Sequence, residues 1–210
     1  MKIIVISSAK GSVSEANIVN ELFHEGMELF HLRKHNYSTK LLKEYIEQIE
    51  ERYRDRIVLH TKHMLALQYN LNRIHITKKH KKRRFKTWLS IKYLRAKIPN
   101  LKISTSFHST DSIKLDSSVY EYVFLSPVFD SISKTGYSGK FHGENMPKLL
   151  ESLKQNVVAL GGIDTNKLDQ VYNLKYAGIA IHGALWQSDN PIQKFKEIQK
   201  ACEQKNMSLV

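Results

Sequence analysis

The sequence predicts an α/β fold: one compact (β/α)8 TIM barrel, with residues 1–210 forming a single barrel domain. Three observations lead there. Eight short, β-branched apolar runs alternate with longer amphipathic segments. The runs are apolar on both faces rather than alternating, as parallel strands covered by helices are. Glycines follow the seventh and eighth runs, where this fold recurrently binds phosphate.

The predicted strands are Lys2–Ser7, Leu29–Leu32, Ile57–Leu59, Arg73–Ile76, Lys102–Ser106, Tyr122–Leu125, Val157–Ala159 and Gly178–Ile181. Between them lie helical stripes. Ile18, Val19, Leu22 and Phe23 form one, and Leu41, Leu42, Tyr45, Ile46 and Ile49 form another, with Ser38 as its N-cap. Pro147 and Pro191 can open helices at their first turns, and Asp164 can cap the one carrying Leu168 and Val171. Met64–Tyr69 barely makes a helix. An open doubly wound sheet is the rival fold. It would usually have fewer strands, and no Gly-x-Gly-x-x-Gly follows the first one.

A length of 210 residues suffices to bury a substantial core. No apolar run approaches the roughly 20 residues of a membrane helix. Met1–Ser7 reads as a strand, too short for a signal peptide's apolar region. Cys202 is the only cysteine, which excludes an internal disulfide; the expected location is the cytoplasm. Much of the net charge of +13 lies in Lys78–Lys86. A like-charge run of this kind is expected to be a solvated loop. The alternatives are attraction of an anionic substrate or contact with nucleic acid. The run lacks interleaved stacking aromatics, and nucleic acid is not the expected partner.

Barrel chemistry sits in the loops at the strands' C-terminal ends. After the second strand, His31, Arg33 and His35 share a parity that aims two imidazoles and a guanidinium at the mouth. The other reading of Arg33 is an internal ion pair. Ser104-Thr105-Ser106-Phe107-His108-Ser109 follows the fifth strand; its hydroxyls can donate to phosphate, though Ser109 or Thr110 can equally cap a helix. After the sixth strand, Ser131, Ser133, Lys134 and Gly136 offer a point charge and directed donors in a long loop. Gly161-Gly162 and His182-Gly183 complete the ring, where glycine lets backbone amides approach a ligand.

With these loops in place, the chain resembles the thiamine phosphate synthase family and its relative, the thiazole tautomerases. The resemblance runs through nearly the whole chain. Its most specific stretches are Phe30-His31-Leu32-Arg33, Ser106-Phe107-His108-Ser109, Tyr122–Phe129 with Ser131, Ser133 and Lys134 following, and Val157–Ile163. It implies a transferase that joins hydroxymethylpyrimidine diphosphate to thiazole phosphate and releases diphosphate. By resemblance, Arg33, Ser106 and Lys134 are the catalytic set holding the diphosphate. Ser131, Ser133, Gly161, Gly162, His182 and Gly183 hold the thiazole phosphate. His31, His35, His60 and His108 lie on the pyrimidine side. The implied partners are these two small substrates, with a homo-oligomer left open.

Three departures qualify the resemblance. The family's Gln-x-Arg-x-Lys after the second strand is His31-x-Arg33-x-His35 here, with Lys34 adjacent to the missing lysine. The Asn-Asp after the third strand is His60-Thr61. The metal-binding aspartate after the fourth aligns near His80. Mg2+, usual in the family, therefore lacks its carboxylates, and no metal ligand or cofactor is assigned. Lys78, Lys79 and His80 are the candidate cationic substitutes. A Zn2+ site from His60, His75 and His80 is conceivable, while His75, inside a strand, can equally be a packed residue. A tautomerase would have its catalytic histidine at Pro127, leaving His31, His60, His108 or His182 as substitutes. A non-catalytic phosphate binder is the third reading.

Overall fold

The computed structural model describes residues 2–8, 14–130 and 138–204. Eight parallel strands close into a barrel in chain order, with the last pairing back onto the first. They are β1 (Lys2–Ile6), β2 (Leu29–Leu32), β3 (Ile57–Leu59), β4 (Arg73–Ile76), β5 (Lys102–Phe107), β6 (Tyr122–Leu125), β7 (Val157–Leu160) and β8 (Gly178–Ile181). Each falls where the sequence places it, to within one residue at an end. The helices are α1 (Glu15–His24), α2 (Thr39–Gln48), α3 (Leu65–Gln68), α4 (Lys78–Lys82), α5 (Arg84–Lys97), α6 (Thr110–Leu115), α7 (Met146–Glu151), α8 (Leu168–Asn173), α9 (Gly183–Trp186) and α10 (Pro191–Gln204).

Strand parity sorts the apolar residues into two cores. Ile4, Ile6, Leu29, Val58, Tyr122, Phe124, Val158 and Ala180 point into the barrel. Their neighbours in sequence, among them Val5, Phe30, Leu59, Val123, Ala159 and Ile181, point outward against the helices. A fully buried side chain such as Phe30 contributes about 1.5–3 kcal/mol by leaving water. Both faces of every strand are covered, so the runs need no alternation of polar and apolar residues.

The local signals also act as read. Ser38 Oγ accepts from the Leu41 amide at 3.2 Å and starts α2. Asp164 Oδ1 accepts from the Thr165 amide at 2.6 Å, opening the short turn that leads into α8. Ser109 resolves as a cap, its Oγ accepting from the Ser112 amide at 3.1 Å at the start of α6.

One expectation is overturned. The basic run is not a loop: Lys78–Lys82 form α4 and residues from Arg84 onward form α5. Lysine and arginine have high helix propensity, and their long stems let the charges spread into water. Thr77 holds the start of α4 through its amide, which donates to His80 Nδ1 at 3.2 Å.

Candidate active site

The C-terminal ends of the strands surround an open cavity of about 1370 Å³. Arg33 and His35 line it beyond β2, His60 beyond β3 and His75 from β4. Ser106 and His108 line it from β5 and its loop, Gly161 and Gly162 beyond β7, and His182 and Gly183 beyond β8. The predicted residues among the described ones thus converge on one space, with His31 lying fully buried against its floor. Ser131, Ser133 and Lys134 fall outside the described residues.

The β7–β8 side is made of backbone. Gly161 and Gly162 have φ of +103° and +66°, a region that side chains avoid. A Cβ on Gly162 would stand 2.3 Å from the Asp130 carbonyl oxygen. The turn therefore brings bare backbone to the cavity wall. Gly139 is tied to the end of this wall, since its amide donates to Asp130 Oδ1 at 2.7 Å.

The β2–β4 side is made of side chains. Arg33 Nε donates to His35 Nε2 at 2.9 Å, and the Arg33 amide donates to Ser7 Oγ at the same distance. No carboxylate pairs with Arg33 among the described residues, which removes the internal ion-pair reading. Lys34 turns away from the cavity. It is buried, and its Nζ donates to Glu15 and, at 2.8 Å, to the Ser8 carbonyl. Burial is the main influence on Glu15 and raises its pKa despite that pairing.

Below Arg33, three imidazoles meet. His31 Nδ1 and His60 Nε2 are hydrogen-bonded at 2.8 Å, and His31 Nε2 lies 2.5 Å from the Tyr122 hydroxyl. His75 Nδ1 and Nε2 reach Ser104 Oγ and Ser106 Oγ at 2.9 and 3.1 Å. Burial lowers the His31 pKa to about 3 and drives His60 and His75 well below the ordinary imidazole range. The rings are neutral at pH 7. Above them, His108 Nδ1 donates to the Ser126 carbonyl at 2.7 Å, which leaves Nε2 as its reactive nitrogen.

Lys78, Lys79, His80, Lys81 and Arg83 line the cavity's edge, so the basic run is part of its wall. Asp116 is the one acidic residue among the described lining residues, and Lys81 holds it at 3.5 Å. Between Asp55 and Asp111 the sequence has no acidic residue, while lysines and arginines recur throughout.

The thiamine monophosphate synthase family matches this sequence over residues 3–185. The chain belongs to that family. A curated relative, the thiamine-phosphate synthase of Archaeoglobus fulgidus, is 27% identical over 96 residues, so the match spans 46% of this chain and 46% of that protein. The thiamine phosphate pyrophosphorylase structure from Bacteroides thetaiotaomicron is 26% identical, with a TM-score of 0.74 over 97% of this chain and 98% of that one. The one from Pyrococcus furiosus shares the fold at 22% identity and a TM-score of 0.75, over 97% and 96% of the two chains.

Sequence reasoning underrated His75, which faces the cavity rather than packing outward. Its parity with Arg73 on β4 was the available signal. His80 was overrated, since its Nδ1 faces Thr77 and its ring packs on His63, with centroids 4.5 Å apart.

Proposed function

We propose that this chain joins hydroxymethylpyrimidine diphosphate to thiazole phosphate and releases diphosphate, as a cytoplasmic enzyme of thiamine biosynthesis. The observation that carries the reading is the convergence of Arg33, Ser106, Gly161, Gly162, His182 and Gly183 on one cavity, in a chain of this family. The cavity exceeds the roughly 300–1,000 Å³ of an ordinary small-ligand pocket, leaving room for two substrates side by side.

In this reading the backbone at Gly161, Gly162 and Gly183 receives the thiazole phosphate, with Ser131 and Ser133 joining it. Arg33, Ser106 and Lys134 hold the diphosphate. The bond between the pyrimidine methylene carbon and the diphosphate oxygen breaks, and its electron pair leaves with the diphosphate. The thiazole nitrogen then donates its lone pair to that carbon. The protein's work is alignment and stabilisation of the departing charge.

Mg2+ does not fit the residues present. It favours carboxylate oxygens in octahedral geometry, and by the resemblance the family's carboxylate positions fall at Thr61 and near His80. Asp116, already engaged by Lys81, is the remaining lining acid among the described residues. Charge stabilisation falls to Arg33 and the lysines of α4.

Incubation of the purified protein with both phosphorylated precursors, with and without Mg2+, tests the reading. Thiamine phosphate should form without added Mg2+; no product in either condition overturns it. The pinned Nδ1 of His108 favours a second reading, proton transfer on an unaromatised thiazole carboxylate phosphate. Isomer formed by the native protein and lost in His108→Gln selects that one. Tight binding of thiazole phosphate with no turnover selects a non-catalytic binder.

A further inference from the structure

We infer that the cavity floor is a binding site for a divalent transition metal, Zn2+ foremost, with His31, His60 and His75 as its protein ligands. One ring nitrogen from each lies within 4.8 Å of the others. All three residues are at least 96% buried, each 4% exposed or less. They come from β2, the end of β3 and β4, three neighbouring strands that turn their imidazoles to the same level of the barrel. The inference stands apart from the proposed transferase activity and needs only the geometry.

The nitrogens already approach a coordination geometry. His31 Nδ1 and His60 Nε2 share a proton across 2.8 Å. A metal taking that position requires the proton to move to the donor ring's other nitrogen, which on His31 faces the Tyr122 hydroxyl oxygen; Zn–N bonds of about 2.0–2.1 Å in tetrahedral geometry would then hold the two nitrogens roughly 3.3 Å apart. The shift is small. His60 and His75 are stacked, with centroids 4.2 Å apart and planes at 17°, so one ring must also turn about its Cβ–Cγ bond. Their common exposure to the cavity gives that turn space.

The surroundings supply what ligating imidazoles require. A coordinating ring usually has its other nitrogen held, which fixes tautomer and orientation. The Tyr122 hydroxyl holds His31 Nε2. Whichever nitrogen of His75 coordinates, a serine hydroxyl, Ser104 or Ser106, stays on the other.

The donor set selects the ion. Three imidazoles without a carboxylate suit Zn2+, Cu2+, Ni2+ or Fe2+ and disfavour Mg2+ and Ca2+. Three protein ligands leave a fourth position, which opens toward the cavity through His60 and His75. Neutral ligands leave the ion its full charge, so that position takes an anion: hydroxide or a phosphate oxygen.

The test uses full-length protein stripped by a chelator, titrated with Co2+ and then Zn2+ by calorimetry and visible absorption. One Co2+ should bind per chain with the intense bands of four-coordinate cobalt, and Zn2+ should displace it. His31→Gln and His60→Asn carry the family's residues at these positions and should each weaken binding by about 100-fold or more. His63→Asn, in the neighbouring ring pair, should leave binding unchanged. Anomalous scattering at the zinc edge on the unsubstituted protein locates the ion independently of any variant. Absence of saturable binding, binding that survives both substitutions, or an ion found away from these rings overturns the site. Thiamine phosphate is not read in any arm, so the outcome does not bear on the transferase proposal.

Discussion

The two sides of the barrel mouth are built from different materials. Beyond β7 and β8 the wall is backbone, bent at positive φ around Gly161 and Gly162. Beyond β2, β3 and β4 it is side chains: a guanidinium, imidazoles and the lysines of α4. In the proposed reading the first side takes the thiazole phosphate, and the second takes the diphosphate without Mg2+. A backbone cradle has few substitutes, because any Cβ at Gly162 collides with the Asp130 carbonyl. Side-chain charge can be supplied in several ways, so substitutions on the β2–β4 side should be tolerated better than substitutions at the glycines.

Four variants and one titration sharpen that contrast. The largest effect concerns a cation that does not serve the mouth. Lys34→Ala should destabilise the protein by about 3–5 kcal/mol in denaturant melts, because it leaves Glu15 buried and unpaired. A loss below about 1 kcal/mol would mean that Lys34 is available to the cavity after all. Gly183→Asp should weaken thiazole phosphate binding at least 100-fold, about 2.7 kcal/mol, by placing a carboxylate against the phosphate; retained affinity in calorimetry would break the assignment of that side. Arg33→Ala should weaken diphosphate binding roughly tenfold and spare thiazole phosphate. Equal losses for both ligands would erase the distinction between the two sides. Installing Thr61→Asp with His80→Asp should make turnover respond to Mg2+, by supplying the oxygen ligands the β3–β4 side lacks. No response would show that the departure lies elsewhere.

The smallest effect is a pH slope in the metal-free protein. The folded-state pKa of His31 is about 3 and that of His63 about 4, both lowered chiefly by burial. Above the ordinary imidazole value of about 6.5 both states are neutral, and these groups contribute nothing. Below it the unfolded chain takes up protons that the folded one refuses, so stability falls as pH drops from about 6.5 toward 4. Thermal melts between pH 7.5 and 5 should show that fall, and His60→Asn should flatten it. A midpoint independent of pH would contradict neutral burial of the cluster.

Much of this was legible in the sequence. Parallel strands covered on both faces read as short apolar runs, and Ser38, Asp164 and Pro191 mark helix starts through local chemistry alone. What escaped depended on distance. The Lys34–Glu15 pair joins residues on separate units, and neither shows the other in sequence. The basic run was misread because like charge suggests solvation without saying that the backbone coils; Lys78–Lys82 is helical with its charges at the cavity's edge. The imidazole cluster lay between these cases. Strand parity aimed His31 inward and was not applied to His75, and the sequence grouped His60 and His75 with His80, where the structure has His31.

The most direct test of the two-sided mouth is a crystal structure with thiamine phosphate and diphosphate bound together. The thiamine phosphate group should lie within hydrogen-bond distance of the Gly162 and Gly183 amides, with the diphosphate against Arg33 and Ser106. Phosphates seated on the outer face of α5, or exchanged between the two sides, would contradict it.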